Sequence, residues 1–151
     1  MNVLHIFKEN RRRIRDGVAG LSERQLFSIP QRFHNNIAWN VGHIVVTQQL
    51  LHYENAGLPP YVDAGLVAAM RKGTSPNDWR ERPDWRHILG LLVSLPDLFE
   101  VDYAAGRFAL YNEYRTSAGV VLRDIDDAIA FNDFHEGIHL GIVMAQLKIL
   151  G

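Results

Sequence analysis

His135-Glu136-Gly137-Ile138-His139 is the stretch whose residue types and spacing offer chemistry. Two histidines four apart face the same side of a helix, so one helix can give a metal two imidazole nitrogens. The intervening glutamate makes a formal match to the HExxH zinc pattern, in which that residue serves as general base. Two ligands rarely hold a divalent ion, and a catalytic site ordinarily combines three protein ligands with an open position. His43 is the best third candidate, because it lies near the middle of its own expected helix, as His135 and His139 do. His52 lies nine residues further on, about half a turn away in azimuth, and cannot share that site. His5, His34 and His87 fall near element ends and read as surface or packing residues.

Turning about 100° per residue from His135 places His139 about 40° away, Asn132 about 60° and Gln146 about 20°. These four make a polar stripe among Phe131, Ile138, Ile142 and Met144. A second stripe, Asn36, Asn40, His43 and Thr47, runs beside Ile37, Val41, Ile44 and Val45, and its neighbours Trp39 and Ile44 mark it as the wall of a site. Burying an unpaired imidazole is costly, so the histidines need partners. Those partners are either a metal ion or core groups, namely backbone carbonyls, Asn40 and Gln146. Gly137 and Gly141 each weaken a helix by roughly 1 kcal/mol relative to Ala. Close approach of a neighbouring helix is the expected reason for them, with room beside a metal the other.

Four long helical segments must position these residues. The first spans 2–20, with Val3, Phe7, Ile14, Val18 and Leu21 on one face. Asn10 and Arg11 interrupt that face: Arg11 either snorkels to solvent or looks into a polar centre where it meets substrate. Ser22-Glu23-Arg24-Gln25 is a capping box opening a short helix that Pro30 ends. The second long helix is expected over Asn35–Asn55 with Gly57 closing it. A short helix follows over Asp63–Lys72 and a surface connection over 74–83. The third long helix covers Asp84–Ala105, with Ile88, Leu89, Leu92, Leu95, Leu98 and Phe99 facing the core, and Pro96 kinks or interrupts it. Residues 107–118 read as a loop and Thr116-Ser117-Ala118-Gly119 as a turn. The last helix covers Asp124–Leu150. The expected architecture is all-α: a four-helix bundle with short extra helices in its connections, one domain over 1–151.

The 151 residues carry a net charge of -1 and no cysteine. The charge gives no reason to expect nucleic acid or an anionic membrane, and the Arg11-Arg12-Arg13 run lacks the second basic cluster and aromatics of a nucleic-acid arm. Without cysteine there are no disulfides, thiolate ligands or cysteine nucleophile, which fits a reducing compartment. The basic N-terminus has no apolar stretch behind it and no run is long enough to span a bilayer. The expectation is a cytoplasmic protein acting on a small molecule.

Asn36-Ile37-Ala38-Trp39-Asn40-Val41-Gly42-His43-Ile44 resembles the first metal motif of the DinB-like superfamily, and Phe134-His135-Glu136-Gly137-Ile138-His139-Leu140-Gly141 resembles its second. The similarity spans most of the chain. It implies a four-helix bundle, often a homodimer, with a three-histidine site for zinc, nickel or a similar divalent ion. The matching ligands are His43, His135 and His139. The superfamily includes bacillithiol transferase-like proteins, other thiol-dependent S-transferases and a maleylpyruvate isomerase, alongside many members of no known activity. Its second motif often carries Arg after the last ligand and Gln three positions later, where this chain has Leu140 and Val143.

Three functions stand open. The first is a metal-dependent S-transferase using a low-molecular-weight thiol as cosubstrate, with Glu136 as proton acceptor and Asn40 or Gln146 orienting substrate. The second is a small-substrate metallohydrolase with Glu136 as base. A zincin protease is disfavoured, since none of the twelve residues after His139 is His, Asp or Glu. The third is a metal-binding stress protein without chemistry, favoured if Trp39 and Phe131 seal the site.

Overall fold

The computed structural model describes residue 2 and residues 4–151. Its long helices are α1 (His5–Val18), α3 (Ile37–His52), α5 (Trp85–Ala104) and α6 (Ile125–Leu150), with short helices α2 (Glu23–Phe27) and α4 (Ala64–Met70) in the connections. The expected boundaries hold to within a few residues. Val3, placed on the core face of the first helix, lies outside the described residues. The caps are those written in the sequence: Ser22 and Gln25 form the capping box of α2, and Asp63, Asp84 and Asp124 accept N–H bonds at the starts of α4, α5 and α6. Each satisfies donors that a helix start leaves orphaned.

Helix α3 is buried on all sides, because α6, α5, α4 and α2 surround it. α1 closes the bundle by packing against α6 and α5. A helix buried all round has no amphipathic stripe, so its polar residues must find partners inside the protein. Asn36 shows how. Its Oδ1 caps Trp39 N at 2.8 Å, and its Nδ2 donates to the Phe27 carbonyl at 2.9 Å, tying α2 to the start of α3. One apolar core runs through Ile14, Ile37, Ile44, Ile88, Leu92 and Val143; a second gathers Phe7, Tyr53, Phe99, Phe108 and Ile129.

Pro96 lies inside α5 and does not interrupt it, which removes one of its two expected effects. The structure departs from the expectations at three places. Leu98, expected in the core, is 42% exposed. The expected loop over 107–118 contains β1 (Tyr114–Arg115), paired antiparallel with β2 (Val121–Leu122); the predicted turn, Thr116 to Gly119, joins them. Gly137 and Gly141 admit no neighbouring helix, since a Cβ at either would meet nothing within 4 Å. The tight glycine is Gly42, where a Cβ would lie 2.7 Å from Met70 Sδ.

Candidate metal centre

Gly42 lets the end of α4 press against α3, and this contact sets the first histidine. His43 Nδ1 lies 2.7 Å from the Met70 carbonyl oxygen, which can only accept. The proton therefore sits on Nδ1, and the Nε2 lone pair is free. His139 is fixed by the same logic. Asn40 uses its Nδ2 to donate to Asn35 Oδ1 and to the Asn36 carbonyl, both at 2.8 Å, so its Oδ1 is left to accept from His139 Nδ1 at 2.8 Å. His139 too presents Nε2 as a lone pair. His135 Nε2 lies 3.2 Å from His43 Nε2, and one ligand nitrogen from each of the three rings falls within 4.8 Å of the others.

The same surroundings keep the rings neutral. Burial pushes His43 below its ordinary range, against the Met70 hydrogen bond. Burial, together with the neighbouring histidines and Arg11, takes His135 down to about 3. Burial and His43 take His139 down to about 4. Neutral imidazoles with lone pairs converging on one point, two of them oriented by a second hydrogen bond, are the donor set that a divalent ion requires. The core-group reading holds for two of the three rings: the Nδ1 atoms of His43 and His139 bond to Met70 and Asn40, whereas His135 Nδ1 is buried with no hydrogen-bond partner, and the three rings together form a group that could hold a metal ion. Trp39 stacks on His43 with ring centroids 4.5 Å apart and planes 9° from parallel, closing one side.

The other side is open. His43, His135 and His139 line a cavity of about 510 Å³. Thr47, Leu50 and Leu51 of α3 and Phe131 of α6 form its walls, and Thr116 and Ser117 of the hairpin reach its rim. Phe131 lines this cavity rather than sealing it.

Of the other expected site residues, Asn40 and Gln146 join the centre indirectly. Gln146 donates to the Asn35 carbonyl at 2.9 Å and lies 3.4 Å from Asn40, so it steadies the amide that steadies His139. Both are fully buried, which leaves neither a surface to offer substrate. Arg11 and Glu136 find each other. Arg11 Nε is 2.9 Å from Glu136 Oε2, Arg11 Nη2 is 2.7 Å from Oε1, and Asn132 Nδ2 adds a bond to Oε1 at 3.1 Å. Burial raises the Glu136 carboxyl from its usual value, against the pull of Arg11 and Asn132. Neither residue lines the cavity. Arg11 thus turns inward, as one of its two expectations had it, but toward Glu136.

One member of the expected site wall and one group that was not anticipated complete the centre. Thr47 Oγ1 lies 3.4 Å from His43 Nε2, a hydroxyl aimed at the metal-binding side of the rings. The sequence signalled it as the next member of the polar stripe on α3. The Met70 carbonyl carries no signal in a side-chain pattern.

Residues 6–143 match the family model of the DinB superfamily. The chain belongs to the DinB superfamily. Both resembling motifs lie within the matched span, and the helical architecture and the three-histidine cluster are those the resemblance implied. Against curated proteins the chain finds no match. Among the described residues, no helix of this DinB-superfamily protein is long and apolar enough to cross a membrane.

Proposed function

We propose that this DinB-superfamily protein is a divalent-metal-dependent enzyme, with His43, His135 and His139 as the ligands and a thiol S-transfer as its reaction. One observation carries the reading: the converging Nε2 atoms face a cavity of about 510 Å³, within the size range of small-molecule sites. A closed structural metal site would have no such volume beside it. A bound divalent ion, zinc or nickel by the resemblance, supplies Lewis acidity that lowers the pKa of a coordinated thiol. The chain contains no cysteine, so the thiol arrives as a cosubstrate. The protein's own groups orient and shield. Met70 and Asn40 hold two rings in the ligating tautomer, Trp39 excludes water from one side, and Thr47 presents a hydroxyl toward the reacting end. Transfer forms a bond from the thiol sulfur to the electrophilic carbon, breaks that carbon's bond to its leaving group, and releases the thiol proton to solvent.

The metallohydrolase reading with Glu136 as base has weaker support, because that carboxylate is held by Arg11 and Asn132 away from the cavity. The homodimer implied by the resemblance belongs to the same proposal. Phe134, Ile138, Met144 and Ile149, each between 46% and 57% exposed, project from the outward face of α6. The test is conjugation of a low-molecular-weight thiol to a chromogenic electrophile by protein loaded with zinc or nickel. Turnover should require the metal and vanish in folded His43→Ala. Turnover retained in that variant would remove the mechanism, and none with any thiol would favour the non-catalytic metal-binding protein.

A further inference from the structure

Arg71 and Lys72 follow directly on the carbonyl that orients His43, and both line the cavity. Their position is fixed by the metal centre's own scaffolding. Met70 is fully buried against Gly42. The Thr74 hydroxyl accepts from the Trp39 indole at 3.0 Å and donates to the Arg71 carbonyl at 2.7 Å. Trp39 in turn stacks on His43. The backbone that carries the two cations is therefore tied twice to the first histidine.

Both side chains lack a counter-charge. Among the described residues neither Arg71 nor Lys72 forms an ion pair, as is also true of Arg24, Arg32, Arg80, Arg86, Arg115 and Lys148; what sets these two apart is their place on the cavity. Glu54 is the one carboxylate residue among those lining the cavity. Leaving two cations unpaired at the rim of a partly enclosed volume concentrates positive potential there, which attracts an anion. The guanidinium fork of Arg71 suits a planar carboxylate in particular. Favourable interaction of cations with the C-terminal end of α4 would account for their sign, but not for their placement on the cavity.

We infer that the cavity selects a cosubstrate bearing a carboxylate, which Arg71 and Lys72 receive while the opposite end of the molecule reaches the three histidines. This rests on the reading of the cavity as the thiol site of a metal enzyme. The rim is solvated, so the lower end of the range for a hydrogen bond to a charged group applies, equivalent to about ten-fold in affinity.

The experiment is thiol binding to the cobalt(II)-loaded protein, followed by the sulfur-to-cobalt charge-transfer absorption. The probes are mercaptobutanoate, mercaptohexanoate and mercaptooctanoate against the mercapto-alcohols of the same lengths; these acids are too long to chelate the metal readily. At least one acid should bind about ten-fold more tightly than its alcohol. In Arg71→Gln/Lys72→Gln that preference should disappear while alcohol binding and cobalt affinity stay unchanged. Equal binding of acids and alcohols to the wild-type protein overturns the carboxylate assignment and leaves the thiol site standing. The same holds for a preference that survives in the double variant. Should the double variant fail to fold, Arg71→Lys, which keeps the charge and removes the fork, should reduce the preference partially. Cobalt binding without any thiol band overturns both readings together.

Discussion

Replacing Glu136 by Gln separates a working base from a structural counter-ion. In an HExxH enzyme that substitution abolishes turnover and spares the fold. Here the carboxylate is 0% exposed and the guanidinium it meets 3%, joined by two short hydrogen bonds. Removing one partner leaves the other buried without compensation, at a cost of about 3–5 kcal/mol. For a chain of this size each kcal/mol moves Tm by about 2–4 °C, so Glu136→Gln should lower it by about 6–20 °C. Arg11→Met should be at least as damaging, because it strands a carboxylate. The double variant Arg11→Met/Glu136→Leu removes both charges and should recover most of the loss, since apolar replacement of a buried pair is often neutral. Thermal unfolding followed by circular dichroism on the three variants gives the coupling. A Glu136→Gln protein with unchanged Tm and no turnover would refute this assignment and restore the residue as a base.

Three further outcomes follow from the geometry. Asn40→Ala removes the acceptor that fixes His139 and should weaken zinc binding by about 10–100-fold in competition with a chromophoric chelator, whereas Asn40→Asp, which keeps an acceptor oxygen, should lose less. Gly42→Ala drives a Cβ to 2.7 Å from Met70 Sδ in a buried contact; chemical denaturation should show a loss of about 1–3 kcal/mol, and zinc affinity should fall with it because Met70 orients His43. Asp102 accepts from Tyr53 and Arg107 at 2.8 Å and from Tyr61 at 3.0 Å. Burial would raise its carboxyl, and those bonds outweigh it to hold the group below its ordinary value. A depressed folded-state pKa gives stability that is complete above the unfolded value of about 3.9 and is lost as pH falls through the folded one. Acid titration of stability should therefore be shallower below about pH 4 in Asp102→Asn than in the wild type.

The helices were legible because each carries an apolar period, a cap, or both: caps stand at Ser22, Asp63, Asp84 and Asp124, α1 shows its apolar face without a side-chain cap, and α3 shows the Asn36 cap without an amphipathic stripe. The histidines were legible because His135 and His139 share a helix face and His43 sits at mid-helix like them. Glu136 was misleading because the HExxH pattern records order along the chain and not azimuth. The residue lies about 100° round from His135 and only about 40° from Asn132, which places it with the inward-facing residues. Its partner Arg11 is 125 positions away, and nothing local announces the pair. The β1–β2 hairpin escaped because two-residue strands are too short to show an alternation. The cavity's cationic rim escaped for another reason: Arg71 and Lys72 close a short helix in a connection, and only the Met70–His43 contact brings them to the site.

The most direct test of the account is an anomalous difference map from crystals of the zinc-loaded protein, recorded above and below the metal edge. One peak per chain should lie about 2.0–2.1 Å from the Nε2 atoms of His43, His135 and His139, with at least one coordination position facing the cavity. A metal bound elsewhere, or a stoichiometric zinc protein whose His43 ring lies outside the coordination sphere, would contradict it.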